Sequence, residues 1–194
     1  MDKVILHADL NNFYASVESL GHAEYKDIPL AVCGSVDERH GIVLAKNNVA
    51  KALGVKTGDA VWQARTKARN LVVVPPHFEK YAYFSKLVRE IYYHYSDRIE
   101  TFGLDECWID VTGSQRLFGD GKTIANKIRE EVKATTGLTV SVGVSFSKVF
   151  AKIGSDYKKP DAVTVIDRNN YKDIVWSLPV QEMLYIGKKT TTHL

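Results

Sequence analysis

Residues 100–111 read E-T-F-G-L-D-E-C-W-I-D-V. Two short runs rich in β-branched and aromatic residues flank a tight acidic turn, which is the pattern of a β-hairpin. Asp105 and Glu106 sit at its tip, and a third acid, Asp9, closes the strand-like run V-I-L-H-A-D near the N-terminus. Carboxylates at strand ends can hold hard divalent cations, because such ions take oxygen ligands at fixed spacing. A charged, solvated turn is the plainer account of the same residues.

Working outward, residues 3–10 alternate as a strand, and N-N-F-Y-A-S-V-E-S opens a helix with Asn11 or Asn12 as its cap. Two strands, 30–34 and 41–45, flank the charged turn S-V-D-E-R-H. N-N-V-A-K-A-L is a short helix stopped by Gly54, and G-D-A-V-W-Q-A-R-T-K-A-R is another. L-V-V-V-P-P is a strand that its prolines end. A tyrosine-rich helix follows over 79–97, its tyrosines read as core packing rather than as a base-stacking surface. Strands at 98–103 and 107–112, a helix near 121–136, the strand T-V-S-V-G-V-S, the helix S-K-V-F-A-K-I-G-S-D-Y and the strand A-V-T-V-I complete the series.

With residues 11–76 set aside, the order is strand, helix, strand, strand, helix, strand. That is the split β-α-β, ferredoxin-like pattern. The fold class is therefore α+β, with a small α+β insertion. In this topology the first strand lies beside the hairpin, so Asp9 meets Asp105 and Glu106 across 96 positions of sequence.

The length of 194 residues allows one large domain or two small ones, and 45% hydrophobic with 25% charged residues is ordinary for a globular chain. Net charge is only +3, but its distribution is uneven. From Arg39 to Arg69 seven Lys or Arg face one acid, Asp59, and Lys148, Lys152, Lys158 and Lys159 face only Asp156. Such segments suit nucleotide phosphates or a nucleic-acid backbone, although each alone is also what a solvated basic face looks like. Cys33 and Cys107 lie far apart, which argues for a reducing, cytoplasmic setting and against a disulfide framework or zinc site. The short apolar stretch at the N-terminus is a strand, not a signal peptide or membrane span. No G-x-x-x-x-G-K-[ST] loop is present, so lysines must meet any phosphates, with Lys51 and Lys159 the best placed.

Four motifs in order carry a resemblance: H-A-D-L-N-N-F-Y-A-S-V-E, G-V-K-T-G, G-L-D-E-C-W-I-D-V-T and V-G-V-S-F-S-K-V-F-A-K-I-G-S-D-Y-K-K-P-D. Together they resemble the Y-family translesion DNA polymerases, nearest the bacterial DNA polymerase IV/V branch. The resemblance implies a palm over 1–10 and 77–166, fingers over 11–76, and the beginning of a thumb over 167–194. A little finger is expected to be absent, with the chain the front part of a longer protein.

It also implies a DNA-directed DNA polymerase core for damage tolerance and DNA repair, using two Mg²⁺ ions with Mn²⁺ as a substitute. Asp9 and Asp105 would bind both metals, Glu106 the one at the primer end, and the Leu10 carbonyl would face a metal. Tyr14 resembles the steric gate against a 2′-hydroxyl, with Phe13 packed beside it. Asn48, Lys51 and Lys159 would meet the incoming dNTP. Primer-template DNA is the implied partner, with a sliding clamp engaged through a C-terminal region and no membrane.

Two departures stand out. Family members often carry Tyr and Arg where this chain has Asn48 and Lys51, which removes a bidentate phosphate fork. The thumb turn, P-G-I-G in the family, reads Leu184-Tyr185-Ile186-Gly187, and a helix starting at Lys188 has room for about two turns. Asp110 shares a strand face with Glu106 and is expected to support the hairpin rather than bind metal. A nucleotidyl cyclase palm and a non-catalytic DNA-binding relic are the alternatives. A haloacid-dehalogenase-type phosphatase would need a second Asp where Asn11 stands.

Overall fold

The computed structural model describes residues 2–34 and 41–193. The charged turn at 35–40, with Arg39, lies outside the described residues. Two compact units divide the chain: one takes it up to Asn11 and again from Lys86, and the other is Asn12–Ser85.

The first unit is built on β1 (Ile5–Leu10), β5 (Ile99–Phe102), β6 (Glu106–Asp110), β7 (Val140–Ser145) and β8 (Val163–Ile166), in the spatial order β5-β6-β1-β7-β8. The first four strands have the ferredoxin-like order expected from the sequence, and β8 extends it, parallel to β7. β1 is buried along its whole length, as a central strand must be. It runs antiparallel to both β6 and β7, with Asp9 opposite Glu106 on one side and Ser141 on the other.

Successive residues of β7 point to opposite faces of the sheet. Val144 therefore meets the start of α6 (Gly121–Thr136), whereas Gly143 meets α7 (Lys148–Tyr157). α6 is capped by Asp120, which accepts from Thr123 N, and it buries Ile124, Ile128 and Val132 along one stripe. α7 starts at the Ser147 cap and comes very close to the sheet: a Cβ on Gly143 would stand 1.8 Å from the Ala151 carbonyl. Ile5, His7 and Asp9 lie opposite Ser145, Gly143 and Ser141, so they share the α7 face with Glu106, Trp108 and Asp110. That shared face positions the site.

In the second unit, β2 (Leu30–Cys33) pairs with β3 (Val43–Lys46) antiparallel and with β4 (Val72–Val74) parallel. α1 (Phe13–Ser19), α2 (Asn48–Ala52) and α3 (Val61–Lys67) accompany this sheet. Its core gathers Ala31, Cys33, Val43, Ala50, Val55 and Ala64.

Several expectations are corrected. Asn11 does not cap α1: its side chain donates to Thr139 Oγ1 and accepts from Ser141 Oγ. Asn12 holds the cap position with φ 50° and makes no side-chain cap bond. α5 (Gln115–Phe118) and α8 (Tyr171–Val175) went unforeseen, being too short to show a period. α4 (Phe78–Tyr95) mixes its tyrosines: Tyr81, Tyr92 and Tyr95 are buried, while Tyr83 and Tyr93 are exposed. Both cysteines are free and buried.

Candidate active site

The antiparallel register sets Asp9 directly beside Glu106 on one face. Asp105 precedes β6, and its carbonyl accepts from Leu10 N at 3.0 Å, which ties the end of β1 to the hairpin turn. Burial pushes the Asp105 carboxyl up to about 6, helped by the neighbouring charges of Asp9 and Glu106. Asp9 is also raised, by burial first, although Lys159 opposes the shift. Glu106 behaves oppositely. Burial pushes it upward, but His7 and Lys152 outweigh that and hold it down at about 2. Asp9 and Asp105, both raised by burial and by neighbouring carboxylates, mark a site short of positive charge.

Two ammonium groups supply part of that charge. Lys159 Nζ donates to Asp9 Oδ2 at 2.6 Å and stands 2.7 Å from Asp156 Oδ1. Lys152, on α7, contacts Glu106 Oε2 and lies 3.9 Å from Asp9 Oδ2. The segment after Lys159 is fixed by Asp161, whose carboxylate accepts from Arg129 Nη1 and Lys133 Nζ of α6, each at 2.9 Å. Behind Glu106, buried His7 reaches Ser155 Oγ at 2.8 Å through Nδ1. Its Nε2 lies 3.1 Å from Glu106 Oε2, without hydrogen-bond alignment. Asp110 accepts from Thr112 N and Oγ1.

Among the described residues, no three His, Cys, Asp or Glu side chains form a ready-made metal cage. The donor chemistry nonetheless fits a hard divalent cation: all three acids offer oxygen, and ammonium groups stand in for the missing positive charge. Asp9, Asp105, Glu106 and Lys159 are thus brought together as the sequence suggested. Lys152, His7 and Asp156 were missed. The spacing Lys152, Asp156, Lys159, at i+4 along α7 and then i+3 past its end, was the signal that could have found two of them.

Of the other predicted residues, Leu10 ends β1 in the first unit and the rest lie in the second. Phe13 is buried, and Tyr14 is partly exposed with its ring stacked on Tyr81 at 4.2 Å and 9°. Phe78 meets the Tyr14 ring edge-on at 6.0 Å. Tyr81 is in turn pinned by its hydroxyl, which donates to buried Glu18 at 2.5 Å. Asn48 Oδ1 accepts from Asn12 Nδ2 at 2.9 Å. Lys51 lies in α2, close enough to Lys46 to help lower its proton affinity, after the larger effect of burial. Asn47, beside them, is spent on structure: it caps α2 at Ala50 N and binds Leu30 N and the Ile28 carbonyl.

A ferredoxin-like sheet carrying acids on its central strand and adjoining hairpin, faced by Lys152 of α7 and by Lys159 just beyond it, defines a polymerase-type palm. The chain belongs to the impB/mucB/samB family, whose model matches residues 8–156. It is 60% identical over its whole length to DNA polymerase IV of Acetivibrio thermocellus, covering 49% of that protein. It is 38% identical to DNA polymerase IV 1 of Bacillus subtilis, over 99% of this chain and 46% of that one. Among solved structures, DinB from Sulfolobus solfataricus superposes with a TM-score of 0.90 at 32% identity, over 98% of this chain and 56% of that one. An insertion ternary complex of Dbh DNA polymerase gives 0.89 at 32% identity, over 96% and 55%. The chain thus spans about half the length of the curated relatives it matches, and the Y-family resemblance and α+β fold hold. Among the described residues no helix is long and apolar enough to cross a membrane.

Proposed function

We propose that this chain is the catalytic core of a Y-family DNA polymerase, which transfers a dNMP from dNTP to a primer 3′-hydroxyl in damage tolerance. The observation that carries the reading is Asp9 set opposite Glu106 beside the Leu10 N–Asp105 carbonyl bond, with Lys152 and Lys159 against these acids. In this reading residues 1–10 and 77–166 are palm, 11–76 fingers and 167–194 the beginning of a thumb. Asp9, Asp105, Glu106 and the Leu10 carbonyl hold Mg²⁺, with Mn²⁺ as substitute. Two such ions, when bound, acidify the primer hydroxyl and offset triphosphate charge.

The chain's own side chains do the rest. Lys159, Lys51 and Asn48 hold the triphosphate while the bond from the primer oxygen to the α-phosphorus forms and the α–β bond breaks, releasing pyrophosphate. Tyr14, with Phe13 packed beside it, turns away a sugar bearing a 2′-hydroxyl. Primer-template DNA is the partner, in the cytoplasm, and a sliding clamp would be met through the half of the relatives that this chain does not span.

Primer extension tests this, with Mg²⁺ and dNTPs, on this chain and on the full-length Acetivibrio thermocellus relative. Asp105→Ala/Glu106→Ala should lose at least about 10³-fold in rate. Equal rates in wild type and double variant overturn the assignment.

A further inference from the structure

Lys152 is enclosed by acids. Its ammonium contacts Glu106 Oε2 and lies 3.9 Å from Asp9 Oδ2 and 3.7 Å from Asp156 Oδ2, and its side chain is only 15% exposed. The Phe102 ring covers it at 6.0 Å. Two of those three carboxylates are the proposed metal ligands. An ammonium and a divalent ion cannot share the same carboxylate oxygens without strong repulsion at low local dielectric. The third carboxylate differs. Asp156 is the i+4 neighbour of Lys152 on α7, and its side chain is 45% exposed, at the solvent edge of the cluster. Lys159 repeats the pattern, bridging Asp9 and Asp156.

We propose that Lys152 is a resident, exchangeable counter-cation: it neutralises Asp9 and Glu106 until a divalent metal arrives, then yields by turning onto Asp156. The proposal rests on the metal reading of Asp9 and Glu106. Metal entry is then an exchange of one cation for another. Lys152 competes with the metal for the oxygens of Asp9 and Glu106, and Asp156 is the place to which its ammonium retreats. No covalent bond changes. The flexible four-carbon stem permits the move, since an ammonium is a point charge with no fixed fork to realign.

Mn²⁺ titration followed by electron paramagnetic resonance, without DNA or nucleotide, tests the exchange. Lys152→Met should bind Mn²⁺ about tenfold more tightly, because the competitor is gone. Asp156→Asn should bind it more weakly. A merely structural lysine gives the opposite result in the first variant, as the acids splay or take up protons. A second measurement needs no variant: acetylation of lysines in the wild-type chain, read by mass spectrometry, should show Lys152 becoming more reactive on adding Mn²⁺ while Lys3 does not change.

Equal or weaker Mn²⁺ binding by folded Lys152→Met overturns the exchange, as does unchanged Lys152 acetylation at saturating Mn²⁺. If Lys152→Met does not fold, the acetylation pattern decides. Wild-type chain that binds no Mn²⁺, with or without dNTP, removes the metal site itself. Wild type that binds while Lys152→Met binds no better removes only the exchange.

Discussion

Asp105 and Glu106 are neighbours in sequence, yet their carboxyls are driven in opposite directions. The Asp105 shift to about 6 means that the folded chain holds its proton more tightly than the unfolded chain does. Its contribution to stability is therefore full below about pH 4, its unfolded range, and is lost as pH rises through about 6. Glu106, held at about 2, contributes above its unfolded value and loses that as pH falls through about 2. In chelator, Asp105→Asn should stabilise the chain at pH 7 by roughly 1–2 kcal/mol, after discounting for solvent screening, and by almost nothing at pH 4. Urea denaturation at the two pH values measures this, and equal effects at both would show that Asp105 is not crowded by Asp9 and Glu106. At the sugar, Tyr14→Ala should raise ribonucleotide over deoxyribonucleotide incorporation by roughly 10²-fold, read from kcat/KM ratios. A ratio that does not move would remove Tyr14 from the gate.

Elements carry these residues, and two of their contacts leave little tolerance. Gly143 lets α7 press onto β7, and an added Cβ would also stand 2.5 Å from Ser155 N. Gly143→Ala should cost about 3 kcal/mol in urea melts and lower activity as well, because the displaced helix carries Lys152 and Asp156. The turn before the last helix, α9 (Lys188–Thr191), is the converse case. Tyr185 holds φ 68°, a left-handed backbone that disfavours a side chain. Tyr185→Gly should therefore stabilise the turn by about 1 kcal/mol. A lower melting temperature in that variant would show that the tyrosine ring supplies contacts worth more than the strain.

At the scale of the whole molecule, the chain corresponds to about half of each matched relative. Its binding to primed DNA, followed by fluorescence anisotropy, should be at least about tenfold weaker than that of the full-length Acetivibrio thermocellus relative, with a shallower salt dependence from fewer phosphate contacts. Equal affinity would place the whole DNA grip in these residues. The palm topology was legible because hydrophobic period and element order allow few ways to pair six elements, so Asp9 could be set beside Glu106 from sequence alone. The stack of Tyr14 on Tyr81, the hold of Glu18 on the Tyr81 hydroxyl and the diversion of Asn11 to Thr139 were not legible. Each joins residues far apart in sequence through side-chain directions that no local pattern encodes. The amino-acid order by itself determined the split β-α-β path and which oxygens could gather at the hairpin. Only the folded chain decided how their charge is balanced, since the ammonium groups come from Lys152 on α7, which the close approach at Gly143 lets onto the sheet, and from Lys159 just beyond that helix.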